Sequence, residues 1–480
     1  MLYRTRDDIS KNYDVIIIGS GLAGLTAANI LGRNGHQVLL LESHNKLGGF
    51  ATWFFRENRE HVFDISLHGF PVGMIKTCRK YWSKEIAESI VQLKDVRFVN
   101  PQFNLQTDFT KENYSQILEK DFGIPSQTVS AFFDYLSVMN FYDNSQQTNR
   151  ELFEKFFPGR NDVTRFLMEP ITYANGSTLD DPAISYGIVF SNFMSKGVYT
   201  FKGGTDHLIA KMKDELLKNN VDIKLQTKVE SILVENGRAQ GVLVDGKKIQ
   251  AHTILSNANI KSTVLNMVGR EHFSADFLKK TEAIRLNSSS CQVYMGLKKG
   301  ETIPHIGDLI FTSTYPTYDP ARLLDLKVSS RTFSVYYPQD TRPQNPDARV
   351  AIVSSTNCQY DDWKTLTPVQ YEQEKQAMIE DTIRGLEHFI PNIRDKLEVI
   401  EAATPLTVER YTLHPKGTSF GTKFEGLEIS MNLHKNIQGL FHAGSVGIIM
   451  SGWLGAANYG VIQSNAIESY LGSIKGNEYV

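Results

Sequence analysis

A spacing of three glycines restricts this chain more than any other feature. Residues 13 to 49 read YDVIIIGSGLAGLTAANILGRNGHQVLLLESHNKLGG. Val15 to Ile18 form an apolar run of strand length, and Gly19, Gly21 and Gly24 follow at the G-x-G-x-x-G spacing that opens a helix. The first glycine permits the turn, the second lets a pyrophosphate approach the backbone, and the third lets helix and strand pack closely. The helix N-terminus offers free N–H groups and a positive dipole end to phosphates. Leu25, Ala28, Ile30 and Leu31 supply the apolar side of this helix, and Gly35 falls where it should stop. A second buried strand, Val38 to Leu41, ends in Glu42. A carboxylate there accepts hydrogen bonds from an adenosine ribose, each worth roughly 1.5–3 kcal/mol. A bare G-x-G-x-x-G is weak evidence, but the strand before it, the helix after it and the acid beyond all agree on a Rossmann-type dinucleotide fold.

Lys46-Leu47-Gly48-Gly49 follows at once. This second glycine pair resembles the extension in flavoproteins of the amine oxidase and phytoene desaturase superfamily, which points to FAD rather than NAD. The resemblance implies cofactor contacts at Gly19, Ser20, Gly21, Leu22, Ala23, Gly24, Glu42, Ser43, Gly48 and Gly49. Family members usually place Arg or a small polar residue after the pair, where this chain has Phe50.

A chain of 480 residues can bury a sizeable core and by length holds two or three domains. Its formal charge of −2, with both signs interspersed, gives no footprint for a nucleic-acid partner. Cys78, Cys291 and Cys358 are far apart and form neither a C-x-x-C pair nor a zinc pattern, so free thiols in a reducing cytoplasm and no metal are expected. The first residues are polar and show no signal peptide. Between Lys435 and Glu468 there is no charged side chain, but Gly, Ser, Asn, Gln and His interrupt the run. It reads as buried backbone around a cofactor rather than a membrane span, which leaves a cytoplasmic protein free to lie on a membrane surface.

Along the chain, ATWFFRENREHVFDISLHGF alternates around a turn at Glu57 to Glu60 and resembles the family's F-D-x-G-x-x segment, with His68 as a pocket candidate. From about residue 70 to 198 the period is helical and aromatic-rich: Phe132, Phe133, Tyr135, Phe141, Tyr142, Phe153, Phe156, Phe157 and Phe166. Such a cluster suits helix packing, a long apolar substrate or a patch on lipid, and the sequence leaves the three open. The chain then returns to the cofactor fold with a Gly203-Gly204 turn, Thr205 as N-cap, an apolar helix face through Leu208, Ile209, Met212 and Leu216, and a strand from Val221 to Leu225. Here the resemblance gives Val229 to the adenosine. Asn236-Gly237 and Asp245-Gly246 are hairpin turns of a meander ending in Ser256-Asn257-Ala258. A second block, from about 275 to 425, holds the strand-like CQVYMGL, TFSVYYP and VAIVSST, and a helix from about Gln370 to Phe389 that Pro391 ends.

The closing segment, NIQGLFHAGSVGIIMSGWLGAANYGVIQSNAIESYL, gives a strand from Gly439 to Ala443 and a helix beginning near Gly455. It resembles the family's final motif, strand-A-G followed by G-x-x-G-A, and implies cofactor contacts at Gly444, Ser445, Leu454, Gly455 and Ala456. Many members carry an acid where this chain has Ser445. Trp453 stands where amine oxidases place a Tyr that forms half of an aromatic cage, and it could equally line a polyene pocket; Tyr459 is a further pocket candidate.

The whole reads as an α/β chain: a Rossmann-type FAD-binding domain, glutathione reductase-like, assembled from residues 1–70, 197–275 and 425–480, with a discontinuous α+β substrate domain from 71–196 and 276–424. It resembles the phytoene desaturase, carotenoid isomerase and retinol saturase group. That resemblance implies an FAD-dependent oxidoreductase acting on carbon–carbon bonds of a long apolar polyene or isoprenoid, with a quinone, oxygen or a soluble carrier as electron partner. An amine oxidase of the same fold and a non-redox flavin isomerase are the alternatives.

Overall fold

The structure, a computed structural model, describes residues 12–139, 146–194, 196–327, 330–345, 347–447 and 449–477. The strand Asn12–Ile18 lies inside a seven-stranded sheet. It pairs in parallel with Val38–Leu41 on one side and Lys247–Ser256 on the other. Asp222–Lys224 extends the sheet beyond Val38–Leu41, and Leu440–His442 pairs in parallel with Lys247–Ser256. Parallel neighbours need long crossovers, and the helix Leu22–Arg33 is the first of them. It packs against the C-terminal helix Gly452–Asn477 so closely that a Cβ on Gly460 would lie 2.4 Å from the Ala23 carbonyl oxygen. Ser231–Glu235, Arg238–Val244 and Lys247–Ser256 form the expected antiparallel meander. Its turns take positive φ at Asn236 and Gly237 (51° and 73°) and at Asp245 and Gly246 (47° and 69°), as type I′ turns require.

A second seven-stranded sheet runs in the order Leu397–Ala403, Ser289–Leu297, Ala351–Cys358, Arg331–Tyr336, Leu309–Thr312, Val96–Asn100, Phe103–Thr107. Its last two strands correct the helical expectation for residues 70 to 198, as does Ile90–Gln92 in a separate three-stranded sheet. Val96–Asn100 is held by a parallel partner, Leu309–Thr312, far along the chain, so local periodicity carried no sign of it. Helices do follow from Lys111, and Phe132, Phe133, Phe153, Phe157 and Phe166 share one buried core with Phe98 and Phe311. Tyr135 and Phe156 pack against that core, whereas Phe141 and Tyr142 lie outside the described residues. Packing on the first sheet also continues past residue 275, because Phe277 and Ile284 belong to its core. The helix expected from Gln370 starts at Pro368, where Thr367 and Gln370 cap each other.

Two expectations about single side chains change. Cys291 and Cys358, read as distant, are buried with their Sγ atoms 3.4 Å apart under Trp363. Thr205 does not cap its helix, Gly204–Lys218; Gly203 holds the cap position with φ 103°. The free N–H of Thr205 instead donates to Asp64 Oδ1 at 2.7 Å. Asp64 Oδ2 accepts from Arg342 Nη2 at 2.9 Å, and Arg342 Nη1 donates to the Gly203 carbonyl at 3.0 Å and to Asp206 Oδ1 at 2.5 Å. Arg342, which follows the strand Arg331–Tyr336, therefore ties the second sheet's block to the N-terminus of a helix that packs on the first. Both Arg342 and Asp64 are buried. Removing one partner of such a pair leaves the other charge uncompensated, so Arg342→Ala should cost about 3–5 kcal/mol, read from the denaturant midpoint at unchanged m-value. A loss below about 1 kcal/mol, the range of an exposed pair, would show that this joint does not hold the blocks together.

Candidate functional site

One continuous cavity of about 1310 Å³ opens along the C-terminal ends of the first sheet's parallel strands and runs on to the second sheet. The ends of parallel strands are where α/β sheets take ligands, and this volume exceeds the roughly 300–1,000 Å³ of a single small-molecule site. Gly19, Ser20, Gly21, Leu22 and Ala23 line it, as do Glu42, Ser43, Gly48, Gly49, Val229, Ser445, Leu454, Gly455 and Ala456. His68 and Trp453 also line it, but Gly24, Gly444 and Tyr459 do not.

The departures have steric reasons. A Cβ on Gly24 would lie 2.2 Å from the Gly19 carbonyl oxygen, so that glycine serves the strand–helix contact. A Cβ on Gly444 would fall 1.9 Å from the Ala258 carbonyl oxygen, and that glycine brings the closing strand against residue 258. The helix after it starts at Gly452 rather than near Gly455, which leaves Leu454 among the first amides without a helical acceptor and puts Gly455 and Ala456 directly after it. Tyr459 is fully buried, with its hydroxyl bonded to Ser430 Oγ. Ser430 also bonds His442 Nδ1, whose Nε2 meets the Ala258 carbonyl at 2.9 Å. Tyr459 thus belongs to a buried structural chain through Ser430 and His442 and does not line the cavity.

The glycine frame is held by a residue to which sequence reasoning gave no role. With its amide oriented so that oxygen meets a donor and nitrogen an acceptor, Asn257, directly after the strand Lys247–Ser256, accepts from the Gly21 N–H at 3.0 Å and donates to the Ala443 carbonyl at 2.9 Å. Cβ atoms built on Gly21 and Gly24 would come within 2.7 and 3.0 Å of that amide. The missing side chains of the motif therefore make room for Asn257 as well as for a ligand. Nothing local signals this, since the partners are more than 180 residues away in sequence. The second glycine pair closes on the same place: Gly48 bridges Gly21, and a Cβ on Gly49 would sit 2.9 Å from Gly21 Cα.

Glu42 Oε2 accepts from the Ser20 N–H at 2.8 Å and the Ser20 hydroxyl at 2.6 Å, and Oε1 from the His44 N–H at 2.7 Å and the Ser43 hydroxyl at 3.3 Å. The two amides fix the carboxylate, while the two hydroxyls can rotate aside for the hydroxyls of a ribose. The donor set of amides at a helix start, an oriented acid and a backbone pair without side chains suits a dinucleotide. Trp453 packs on Phe70 and Phe201, with centroids 5.8 and 5.5 Å away, and its Nε1 donates to the Ser66 carbonyl at 3.1 Å. His68 Nδ1 lies 2.8 Å from Ser334 Oγ. Burial lowers His68 to about 4 and His442 likewise to about 4, so both rings are neutral at pH 7.

Fold and site together define a dinucleotide-binding oxidoreductase scaffold. The flavin containing amine oxidoreductase family matches residues 22–381, and the chain belongs to that family. It is a flavoprotein oxidoreductase whose cofactor is FAD. Among curated relatives, the chloroplastic prolycopene isomerase of Arabidopsis thaliana is 24% identical over 454 residues, covering 86% of this chain and 75% of the relative. A 4,4'-diapophytoene desaturase (4,4'-diapolycopene-forming) of Methylomonas sp is 22% identical, covering 85% and 84%, and the all-trans-retinol 13,14-reductase of Danio rerio is 21% identical, covering 90% and 81%. Among solved structures, an oxidoreductase from Methanosarcina mazei superposes with TM-score 0.65 at 16% identity, covering 94% of this chain and 99% of that one. A putrescine oxidase superposes with TM-score 0.65 at 13% identity, covering 95% and 99%, so the likeness to these two is one of fold. Among the described residues no helix is long and apolar enough to cross a membrane.

The two neutral histidines set an acid limit. Each takes up a proton at about pH 6.5 when unfolded but only near 4 when folded, so the unfolded state binds more protons between those values. Stability is complete above about pH 6.5 and falls by roughly 1.4 kcal/mol per unit per histidine as the pH drops towards 4. Unfolding midpoints followed from pH 7.5 to 4.5 should show this fall, with a smaller slope in His442→Asn. An unchanged slope in that variant would remove His442 from the account.

Proposed function

We propose that this chain is an FAD-dependent oxidoreductase acting on carbon–carbon bonds of a long apolar polyene or isoprenoid, as a carotenoid or retinoid desaturase, saturase or isomerase. The observation that carries this reading is the continuity of the cavity. The part bounded by the glycine frame runs without a partition into a part walled by Phe109, Ile171, Ile188, Val189, Val198 and Phe311. A long apolar chain gains about 25 cal/mol for each Å² it buries against such a wall, and the wall keeps water from the reacting carbons. The relatives' names, a prolycopene isomerase, a diapophytoene desaturase and a retinol reductase, agree with this chemistry.

In this reading Gly19 to Ala23, Gly48 and Gly49 cradle the pyrophosphate, Gly24 keeps helix and strand together, and Glu42, Ser43 and Val229 hold the adenosine side. Gly444 would hold the closing segment in place so that Ser445 could meet the ribityl chain, and Leu454, Gly455 and Ala456 would present the start of the helix Gly452–Asn477 to the ring system. The positive end of that helix favours negative charge there by about 0.3–1 kcal/mol. Bound FAD supplies the two-electron chemistry, taking a hydride from a C–H bond or returning one. The chain's own residues orient the hydrocarbon, exclude water and, at His68 Nε2, accept or hold a proton. Trp453 forms the wall where the two parts of the cavity meet. Residues 1–70, 197–275 and 425–480 act as the cofactor domain and 71–196 and 276–424 as the substrate domain, with Phe277 to Ile284 added to the former. A quinone, oxygen or a soluble carrier completes the electron balance, and the protein works in the cytoplasm, taking its substrate at a membrane surface.

Amine oxidation is less well supported. An aromatic cage needs two rings facing across open space, whereas Trp453 is backed by Phe70 and Phe201 and pinned through Nε1. The acid Glu401 on the cavity is likewise occupied by Arg56. The test mixes flavin-loaded protein, oxidised and reduced in turn, with a detergent-dispersed carotenoid extract and with a panel of amines under anaerobic conditions. Flavin spectra and polyene double-bond patterns should change with the carotenoid fraction alone; bleaching by amines alone would overturn the reading.

A further inference from the structure

The floor of the cavity on the second sheet changes character from strand to strand. In register, Gln292 lies beside Ser355, Ser355 beside Thr332, and Thr332 beside Phe311. All four line the cavity. Two residues away Ser290 lies beside Asn357, again both on the cavity. The floor therefore passes from amide and hydroxyl groups to an aromatic ring across four neighbouring strands. The opposite face of the same strands sends Val293, Met295, Ile352, Phe333 and Val335 into an apolar core. Ser290, Asn357 and Gln292 already bond Ser419, the Thr172 carbonyl and the Ile65 carbonyl, whereas a hydrocarbon laid over the Ser355 hydroxyl costs it contact with water and offers it no partner.

His68 stands over this patch, with Nε2 3.4 Å from Ser355 Oγ and 3.4 Å from Gln292 Nε2. Gln292 Nε2 donates to the Ile65 carbonyl at 2.8 Å and to Ser355 Oγ at 2.9 Å, which commits both its protons. No short bond reaches His68 Nε2 from either neighbour, and Ser355, having accepted from Gln292, keeps its own proton to give. Nδ1 is engaged by Ser334, so Nε2 is an acceptor in one tautomer and a donor in the other. A hydroxyl does both and fits either tautomer. Burial alone acts on the His68 ring, with no charged group contributing, so a carboxylate or ammonium placed here would be buried without a counter-charge.

We propose that the substrate is an apolar chain ending in a hydroxyl, and that this hydroxyl is held between Ser355 Oγ and His68 Nε2 while the chain runs across Thr332 towards Phe311. The assignment rests on the polyene reading above and narrows it. It is tested on the flavin-loaded full chain by titration with all-trans-retinol and with its deoxy analogue, in which CH3 replaces the terminal CH2OH, following the flavin absorbance. The alcohol should bind about tenfold more tightly than the hydrocarbon. Ser355→Ala and His68→Leu, each checked for retained flavin, should reduce that preference to about twofold or less, and either variant alone suffices if the other does not fold. Equal or tighter binding of the hydrocarbon to the unaltered protein, or a preference that survives the substitutions, overturns the hydroxyl site and leaves the polyene reading standing. Silence from both ligands overturns the two together.

Discussion

The side-chain amide of Asn257 is the contact on which the cofactor cradle depends. It bonds the first glycine turn through the Gly21 N–H and the closing segment through the Ala443 carbonyl. The strand that carries Asn257 lies between the strands that carry those two partners, so one amide gathers the ends of three parallel strands. An amide that satisfies two backbone groups at the edge of the cavity is hard to replace, because its loss leaves both without that partner, at a cost of about 1–3 kcal/mol for each that stays shielded from water. Gly21 is then explained twice over, since a side chain there would displace Asn257 before it met any ligand, and Gly24 is required first by the Gly19 carbonyl and then by Asn257.

The rest of the molecule extends the same cavity. Arg342 reaches from the second block to Asp64 and the N-terminus of the helix Gly204–Lys218, which fixes how the second sheet faces the first. The cavity then inherits one wall from each sheet: backbone amides and an oriented acid on one side, polar and aromatic side chains in strict register on the other. Two-electron chemistry on a hydrocarbon needs little more than position and the absence of water, and both come from this joint.

What could be read from the sequence was what is determined locally. The strand Asn12–Ile18, the helix Leu22–Arg33, the strand Val38–Leu41 and the I′ turns at Asn236-Gly237 and Asp245-Gly246 each depend on residues within a few positions of themselves. The acid at Glu42 and the glycine pair at Gly48-Gly49 were legible for the same reason, and both line the cavity. The partners that came from afar left no such mark. Val96–Asn100 became a strand through Leu309–Thr312, Cys291 met Cys358 across neighbouring strands, and Asp64 took over the capping expected of Thr205. Its place in the closing segment alone makes Tyr459 a pocket candidate, but the distant Ser430 takes its hydroxyl.

The central claim is that the glycine frame, closed by Asn257, holds FAD beside an apolar cavity. Flavin content per chain after purification and reconstitution, for the unaltered protein and for Asn257→Leu, tests it most directly. The account requires equimolar FAD in the first and a loss of most of it in the second, with the fold retained by circular dichroism. An unaltered chain that takes up no flavin, or an Asn257→Leu chain that keeps its full complement, would contradict it.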